Sequence, residues 1–243
     1  MQKWIFDIRS RPFFVLVLVF LFVTFLVYSK ITQQFDESIV SFFHSIAGNS
    51  ILDLFMQVVS EAGDVRYMVV FAAILVIIKK TRKIGVLLLL LLVLTTILTG
   101  YIKCGVDRER PQLSFSGTML YCNIKTLNCF ESQQLSLSKT IFPIGMAQDT
   151  FVLLCEGGVN ASFPSGHASR ATVFGILFGF VLSQRFPRGC YLLLLYPILM
   201  SISRVYVLQH FPMDVIGGVI LGTMLTGVVI KRAKLQKIFE SKT

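Results

Sequence analysis

Residues 84–102 read IGVLLLLLLVLTTILTGYI, an apolar run of 19 residues that ends directly before Lys103. A helix needs about 20 predominantly apolar residues to cross the hydrocarbon core of a bilayer. Backbone polar groups in lipid must be satisfied within the segment, so this run predicts a membrane-spanning helix. The whole chain agrees: 54% of its 243 residues are hydrophobic and 15% are charged, against about 25% charged residues in soluble domains.

Similar runs predict an all-α fold, a multi-pass membrane bundle that forms a single domain over residues 1–243. Six spans are expected, at residues 12–29, 65–79, 84–102, 168–184, 190–208 and 213–230. The second is short, and its length also suits a buried helix that does not cross the membrane. The first follows Arg9 and Arg11 as a signal peptide would, but no small-residue cleavage site comes after it, which favours a retained helix.

The distribution of charge orients this bundle. Residues 1–11, 79–83, 185–188 and 231–243 hold 14 of the 23 Lys and Arg residues but only two of the 13 acidic residues. The positive-inside rule places these segments in the cytoplasm. If the second span does not cross, the N-terminus moves outside, and the remaining spans keep their relative orientation. The net charge of +10 therefore follows topology, and nucleic-acid binding is not expected.

Two outer segments connect the spans in this topology. Residues 31–63 repeat apolar residues at helical spacing, which predicts helices that lie on the membrane surface or pack against the bundle; these are Ile39, Phe42, Phe43, Ile46, Ile51, Leu54, Phe55 and Val58. Residues 104–163 form an outer loop whose length and apolar content predict a folded cap. Asn160 begins a glycosylation sequon, which we do not expect to be used so close to the membrane.

Four of the five cysteines fall in the outer loop: Cys104, Cys122, Cys129 and Cys155. An oxidising compartment would allow two disulfides among them, with three possible connectivities. A Cys122–Cys129 pair that closes a small hairpin is preferred, and free buried thiols are the alternative. Cys190, on the inner side, is expected only to pack.

Lys103 and Arg110 follow the third span and precede Pro111. If the backbone stays helical, they lie two turns apart on one face. Arginine grips a phosphate with two parallel hydrogen bonds, and lysine offers a compact charge. A snorkelling pair at a helix end is the structural alternative. Residues 107–109 between them are expected to be solvated or salt-bridged.

Pro164-Ser165-Gly166-His167 stands where the fourth span begins. Free amide groups at a helix N-terminus bind anions, and Gly166 allows close approach to the backbone. Ser165 can donate a further hydrogen bond, and His167 is placed to protonate a leaving oxygen. Ser165 as a simple helix cap with an incidental histidine is the alternative.

The third cluster runs from Arg204, near the outer end of the fifth span, to His210 and Asp214 at the start of the sixth. A cation at such a depth is costly and indicates function. Asp214 can accept a hydrogen bond from one imidazole nitrogen of His210, which would leave the other with a lone pair and make it a nucleophile. A capping aspartate beside an unrelated histidine is the alternative.

Small residues predict a close contact between the helices that carry the last two clusters. Gly175 and Gly179 lie in the fourth span, and Gly218 and Gly222 lie in the sixth. Small residues at this spacing let helix backbones approach closely. Such a contact would hold His167 near His210.

Together the three clusters resemble the signature of the type 2 phosphatidic acid phosphatase superfamily, over residues 65–230. That superfamily includes membrane lipid phosphate phosphatases, glucose-6-phosphatase and soluble vanadium haloperoxidases. The resemblance implies that His210 attacks phosphorus, that His167 protonates the leaving group and that Asp214 orients His210. It implies that the phosphate is held by five further residues, namely Lys103, Arg110, Ser165, Gly166 and Arg204. It implies no metal and no cofactor.

The resemblance further implies a lipid phosphate or diphosphate as substrate, split on the extracytoplasmic face of the cell membrane. An isoprenoid (polyprenyl) diphosphate is the first expectation, with phosphatidate and phosphatidylglycerol phosphate as alternatives. A transferase that passes the phosphoryl group to another lipid would use the same phosphohistidine intermediate. The signature touches only the phosphate, so it does not select the lipid, and oligomeric state is unassigned.

Overall fold

A computed structural model describes residues 10–111, 118–123, 128–133, 161–183 and 186–232. Its helices are α1 Arg11–Tyr28, α2 Gln33–Ile46, α3 Ser50–Ala62, α4 Val65–Ile77, α5 Arg82–Val106, α6 Gly166–Ser183, α7 Leu195–Tyr206 and α8 Pro212–Arg232. A 3-10 helix, Gly189–Leu194, leads directly into α7, and two strands, β1 Thr118–Asn123 and β2 Asn128–Gln133, pair antiparallel. The predicted helical bundle is confirmed, and the segment between α5 and α6 adds this short hairpin.

Helix ends are set by capping residues that the sequence places there. Ser10 accepts a hydrogen bond from the backbone of Phe13 at the start of α1. Asn49 and Asp64 do the same for α3 and α4, which satisfies amide groups that have no partner within the helix.

Four helical segments are long and apolar enough to cross a membrane: α1, α5, α8, and Gly189–Tyr206 taken as one segment. Their exposed apolar side chains, such as Phe14, Phe22 and Val86, are typical of a lipid-facing surface, since water would disfavour them. Helix α4 is shorter, and α6 carries polar residues in its first turn. The presence of six membrane-spanning helices therefore stays a prediction.

Helix α6 lies at the centre of the bundle. It packs against α5, α7 and α8, and Leu177 and Val173 are fully buried against Leu88, Leu91 and their neighbours. Burial of an aliphatic side chain contributes about 1.5–3 kcal/mol, so this packing fixes the helix that begins at Gly166.

The contact between α6 and α8 is made by backbone, as small residues predict. A Cβ atom on Gly218 or Gly222 would overlap the carbonyl oxygens of Ser165 and Ser169. Gly175 of α6 behaves differently, because it lies against the 3-10 helix and α7. The predicted contact is therefore confirmed for Gly218 and Gly222 and is wrong for Gly175.

The segment at residues 31–63 forms α2 and α3, which pack against α7. Ile39 and Phe43 contact the bundle, while Phe42, Ile51 and Phe55 are exposed. Packing against the bundle is therefore confirmed for part of the set, and contact of the exposed side chains with the membrane surface stays a prediction. The pair places its polar residues Asp36, Asp53 and Ser60 in the interior; all three are buried.

The cysteine predictions are partly resolved. Cys122 and Cys129 are direct partners in the register of the hairpin. Cys104 is in a disulfide bond whose other half lies outside the residues with described side chains. Cys190 is free and buried, as expected for packing. Cys155, the Asn160 sequon and most of the predicted cap lie outside the described residues.

Candidate functional site

Four helix ends meet where the polar clusters lie. Lys103 is in the last turn of α5, and His167 is in the first turn of α6. Arg204 is in the last turn of α7. His210 lies in the turn that follows, and Asp214 is in the first turn of α8. The end of one pair of helices thus faces the beginning of the other pair.

The predicted cations act electrostatically on the two histidines. Those with the strongest electrostatic effect on His210 are Lys103, Arg110 and Arg204. Arg204 also acts on His167, and the two imidazoles act on each other. Residues that are 107 positions apart in the chain, from Lys103 to His210, therefore share one site.

Ser165 joins the second cluster to the third. Its backbone N–H donates to the carbonyl of Asp214 at 2.8 Å, which ties the start of α6 to the start of α8. Its hydroxyl oxygen accepts from the N–H of Ala168 at 3.4 Å, so Ser165 also caps the start of α6. The hydroxyl proton stays available, because a hydroxyl donates and accepts at once.

A serine outside the predicted set lies between His210 and Asp214. Asp214 Oδ2 is 3.7 Å from His210 Nδ1, which is too long for the direct hydrogen bond we expected. The Ser162 hydroxyl donates to Asp214 Oδ2, and its oxygen is 3.2 Å from His210 Nδ1. The hydroxyl oxygen can therefore accept the Nδ1 proton, which leaves the lone pair of the imidazole on Nε2.

Arg108 anchors the other side of the carboxylate. Its Nη1 donates to Asp214 Oδ1 at 2.9 Å, and its Nη2 donates to Asp36 Oδ2 at 2.7 Å. The guanidinium lies 4.1 Å from the centroid of the Phe211 ring, and Asp36 also accepts from the N–H of Met213. Of the two expectations for Arg108, the salt bridge is confirmed and solvation is wrong, since both aspartates are fully buried.

Three other cations are buried without a carboxylate. Lys103, Arg170 and Arg204 are 8%, 7% and 8% exposed, and none of them forms an ion pair within the described part of the chain. Lys103 donates to the carbonyl of Ala161, and Arg204 donates to the hydroxyl of Ser60. The Nε atom of Arg204 finds no partner among these residues. Neutral acceptors leave their positive charge uncompensated, which is costly in a buried site.

The expected helical alignment of Lys103 and Arg110 is wrong. Helix α5 ends when Asp107 takes a left-handed conformation, with φ of 45°, which aspartate tolerates better than most residues. Arg110 then turns toward α7 and donates from Nη1 to Gln209 Oε1 at 2.7 Å. Its guanidinium reaches the site through this turn rather than along a helix face.

Arg170 is a buried cation of the site that is outside the predicted set. It follows His167 by one helical turn, with its Nη2 3.4 Å from His167 Nδ1. A Cβ atom on Gly166 would lie 3.1 Å from Arg170 Nη1, so the glycine leaves room for the guanidinium. A cation inside a predicted span is costly and indicates function. This reasoning predicted a function for Arg204, and it applies equally to Arg170.

Burial lowers the pKa of His210 well below its ordinary value, and the cations Lys103, Arg110 and Arg204 lower it further. Burial also lowers the pKa of the Arg110 guanidinium. The neutral imidazole is thereby favoured near neutral pH. Only this form carries a lone pair on nitrogen.

The donor set suits an anion better than a metal ion. No group of three His, Cys, Asp or Glu side chains among the described residues is arranged to hold a metal. The two carboxylates at the site, Asp36 and Asp214, are already bound to Arg108. Cations and a helix N-terminus remain, and these bind anions.

Two known proteins are similar to this chain in sequence. An undecaprenyl-diphosphatase of Sulfolobus acidocaldarius is 26% identical over 221 residues, which are 89% of this chain and 89% of that protein. Glucose-6-phosphatase catalytic subunit 1 of Haplochromis xenognathus is 35% identical over 108 residues, 37% of this chain and 38% of that protein.

Two solved structures show the same fold. A transmembrane PAP2 type phosphatidylglycerolphosphate phosphatase from Bacillus subtilis superposes with a TM-score of 0.63 at 23% identity, over 90% of this chain and 94% of that one. LpxE of Aquifex aeolicus superposes with a TM-score of 0.53 at 20% identity, over 80% of this chain and 93% of that one. The sequence model of the PAP2 superfamily matches residues 84–237, which hold all three clusters, and the chain is therefore a member of the PAP2 superfamily.

Proposed function

We propose that this protein is a membrane-embedded, metal-independent phosphatase of lipid phosphates or diphosphates that works through a phosphohistidine. One observation carries the proposal: Lys103 and Arg204 are buried beside His210 and have no ion-pair partner within the described residues. A bound phosphate would supply the missing negative charge. Arginine and lysine are the usual protein ligands of that group.

His210 is the proposed nucleophile. Ser162 and Asp214 hold the Nδ1 side of its ring, so that Nε2 attacks phosphorus. The bond from phosphorus to the leaving oxygen breaks, and its electron pair stays on that oxygen. Because the imidazole is neutral before attack, no proton has to be removed from the nucleophile.

His167 is the proposed acid for the leaving oxygen and the base for the second step. It is in the first turn of helix α6, where its Nδ1 lies 3.4 Å from Arg170 Nη2. After the first product leaves, His167 takes a proton from water, which attacks the phosphohistidine and releases inorganic phosphate.

Lys103, Arg110 and Arg204 would hold the equatorial oxygens of the transferred group, with the Ser165 hydroxyl and the Gly166 amide completing the set. Charge builds on these oxygens in the transition state. Preorganised hydrogen-bond donors in a buried site stabilise this charge strongly. A single donor in an oxyanion hole lowers the activation free energy by about 2.7–4 kcal/mol.

The lipid is the finer part of the proposal. An isoprenoid diphosphate is favoured, because the relative from Sulfolobus acidocaldarius is an undecaprenyl-diphosphatase. The alignment with that protein covers 89% of its length and 89% of this chain. Phosphatidate and phosphatidylglycerol phosphate are the competing substrates. The apolar surface around the bundle suits any of these lipids.

The active site is proposed to face the extracytoplasmic side. The described basic residues Lys79, Lys80, Lys231 and Arg232 lie at the ends of α4 and α8 that are remote from the site. The positive-inside rule assigns those ends to the cytoplasm.

Purified protein in detergent, with EDTA, tests this function on a panel of the three substrates. We expect phosphate release from at least one of them, and transient labelling of the protein by a radioactive terminal phosphate. His210→Ala should abolish both signals, while His44→Ala, at a histidine outside the site, should keep them. Full activity of the His210→Ala variant would exclude the mechanism, and transfer of label to an added lipid rather than to water would identify a transferase.

A further inference from the structure

Arg170 differs from the other site cations in what it contacts. Its Nη2 lies 3.4 Å from His167 Nδ1, and its Nε donates weakly to the carbonyl of Gly63 at 3.4 Å. Both contacts are long, and both partners are uncharged acceptors. The guanidinium is buried by the first turn of α6, where it lies against the backbone of Gly166.

The cations of the site divide between the two histidines. Lys103, Arg110 and Arg204 dominate the field at His210, whereas Arg204 and Arg170 dominate the field at His167. Arg170 is thus the cation that distinguishes the His167 side. Among acidic residues, Asp64 has the strongest electrostatic effect on Arg170, but it forms its ion pair with Arg66.

The His167 side is where the leaving group departs, if His210 attacks from the opposite direction. A phosphate monoester loses an alcohol, which needs a proton and leaves without charge. A diphosphate loses a lipid phosphate, which departs as an anion. A fixed guanidinium stabilises the second kind of leaving group and does little for the first.

We infer that Arg170 binds the lipid-side phosphate of a diphosphate substrate, so that the site is built for the phosphoanhydride bond. The inference rests on the proposed phosphatase function and specifies its substrate class. His210 Nε2 forms a bond to the terminal phosphorus, the bridging oxygen–phosphorus bond breaks, and the electron pair goes to the lipid monophosphate held by Arg170. Water then releases inorganic phosphate and a proton and restores His210.

The test compares farnesyl diphosphate with farnesyl monophosphate, since the two share one lipid, in the same detergent with EDTA. Arg170→Gln is expected to lower kcat/KM for the diphosphate about 100-fold, the loss of one charge-stabilising donor. For the monophosphate we expect a change of no more than about threefold, because its leaving group carries no charge for Arg170 to hold. Retained monophosphatase activity also shows that the variant is folded.

Two further variants complete the design. Arg170→Lys keeps the charge but loses the fork geometry, so its loss should be selective for the diphosphate but smaller, about tenfold. Arg66→Gln removes an exposed arginine one turn from Gly63 and should leave both activities unchanged. It is the matched control.

Equal losses on the two substrates would overturn the inference, because they would mean that Arg170 only positions His167 or supports the fold. That outcome would leave the phosphatase itself intact. Wild-type protein that splits neither substrate, nor any lipid of the wider panel, would instead overturn the proposed function.

Discussion

Two sets of buried charges occupy the same end of this bundle, and only one set forms ion pairs within the described residues. Around Asp214, the guanidinium of Arg108 bridges two carboxylates at 2.9 Å and 2.7 Å. Around the histidines, Lys103, Arg170 and Arg204 have only neutral acceptors among the described residues. Breaking a buried pair is strongly destabilising, whereas an unpaired buried charge already carries its desolvation penalty. The paired set should therefore contribute to stability, and the unpaired set should contribute to binding and catalysis.

The largest expected effect is on the paired set. Arg108→Met keeps the side-chain volume but leaves Asp36 and Asp214 buried without a cation. The free energy of unfolding should fall by about 3–5 kcal/mol, measured by thermal or denaturant unfolding in detergent.

Acidification should reduce this loss. Burial raises the pKa of Asp36 even while Arg108 opposes the shift, and without Arg108 the pKa rises further. The folded protein then binds a proton that the unfolded chain does not, so its stability increases as pH falls toward the ordinary aspartate pKa. Arg66→Met, which breaks an exposed pair, should change stability by no more than about 1 kcal/mol. If both variants behave alike, the Arg108 bridge is not structural.

The unpaired set should respond in the opposite way. Arg204→Met removes a buried cation that lacks a counter-ion, so stability in detergent should stay constant or rise. Phosphate release should fall about 100- to 1,000-fold in kcat, the usual effect of losing one preorganised donor. An Arg204→Met variant that keeps its activity but loses stability would show that Arg204 serves the fold rather than catalysis.

Ser162 connects the sets, and its removal should have the smallest effect of the three. Ser162→Ala leaves His210 Nδ1 and Asp214 Oδ2 without their shared partner, at a cost of about 1–3 kcal/mol. We expect kcat to fall about tenfold or more with KM unchanged. Ser169→Ala is the control, because that buried hydroxyl has no partner among the described residues.

A double-mutant cycle then separates positioning from packing. If Ser162 acts through Asp214, the double variant with Asp214→Ala should lose little more activity than Asp214→Ala alone. Additive losses would show that Ser162 contributes independently of the carboxylate.

The sequence predicted the helices well, because apolar runs longer than about 18 residues have few alternatives in a chain. Six helical segments lie close to the expected spans. Both histidines and three of the site cations, Lys103, Arg110 and Arg204, were also predicted, since charges near helix ends in an apolar chain are exceptional; Arg170 was not.

The remaining site residues depend on tertiary contacts that leave no local pattern. Asp36 lies in a segment whose apolar spacing alone attracted attention, and Ser162 is an ordinary loop serine until Asp214 is brought beside it. The left-handed conformation of Asp107 likewise redirects Arg110, although residue 107 is neither a glycine nor a proline.

The backbone contact of Gly218 and Gly222 with the start of α6 has a consequence for how the substrate range of such a protein can change. The spacing of His167 and Asp214 is fixed by main-chain atoms, including the hydrogen bond from Ser165 to the carbonyl of Asp214. Side chains on the outer faces of the helices take no part in it. Mutations there can reshape the walls that meet the lipid tail while the reacting groups keep their places, so new lipid preferences can evolve without loss of the chemistry.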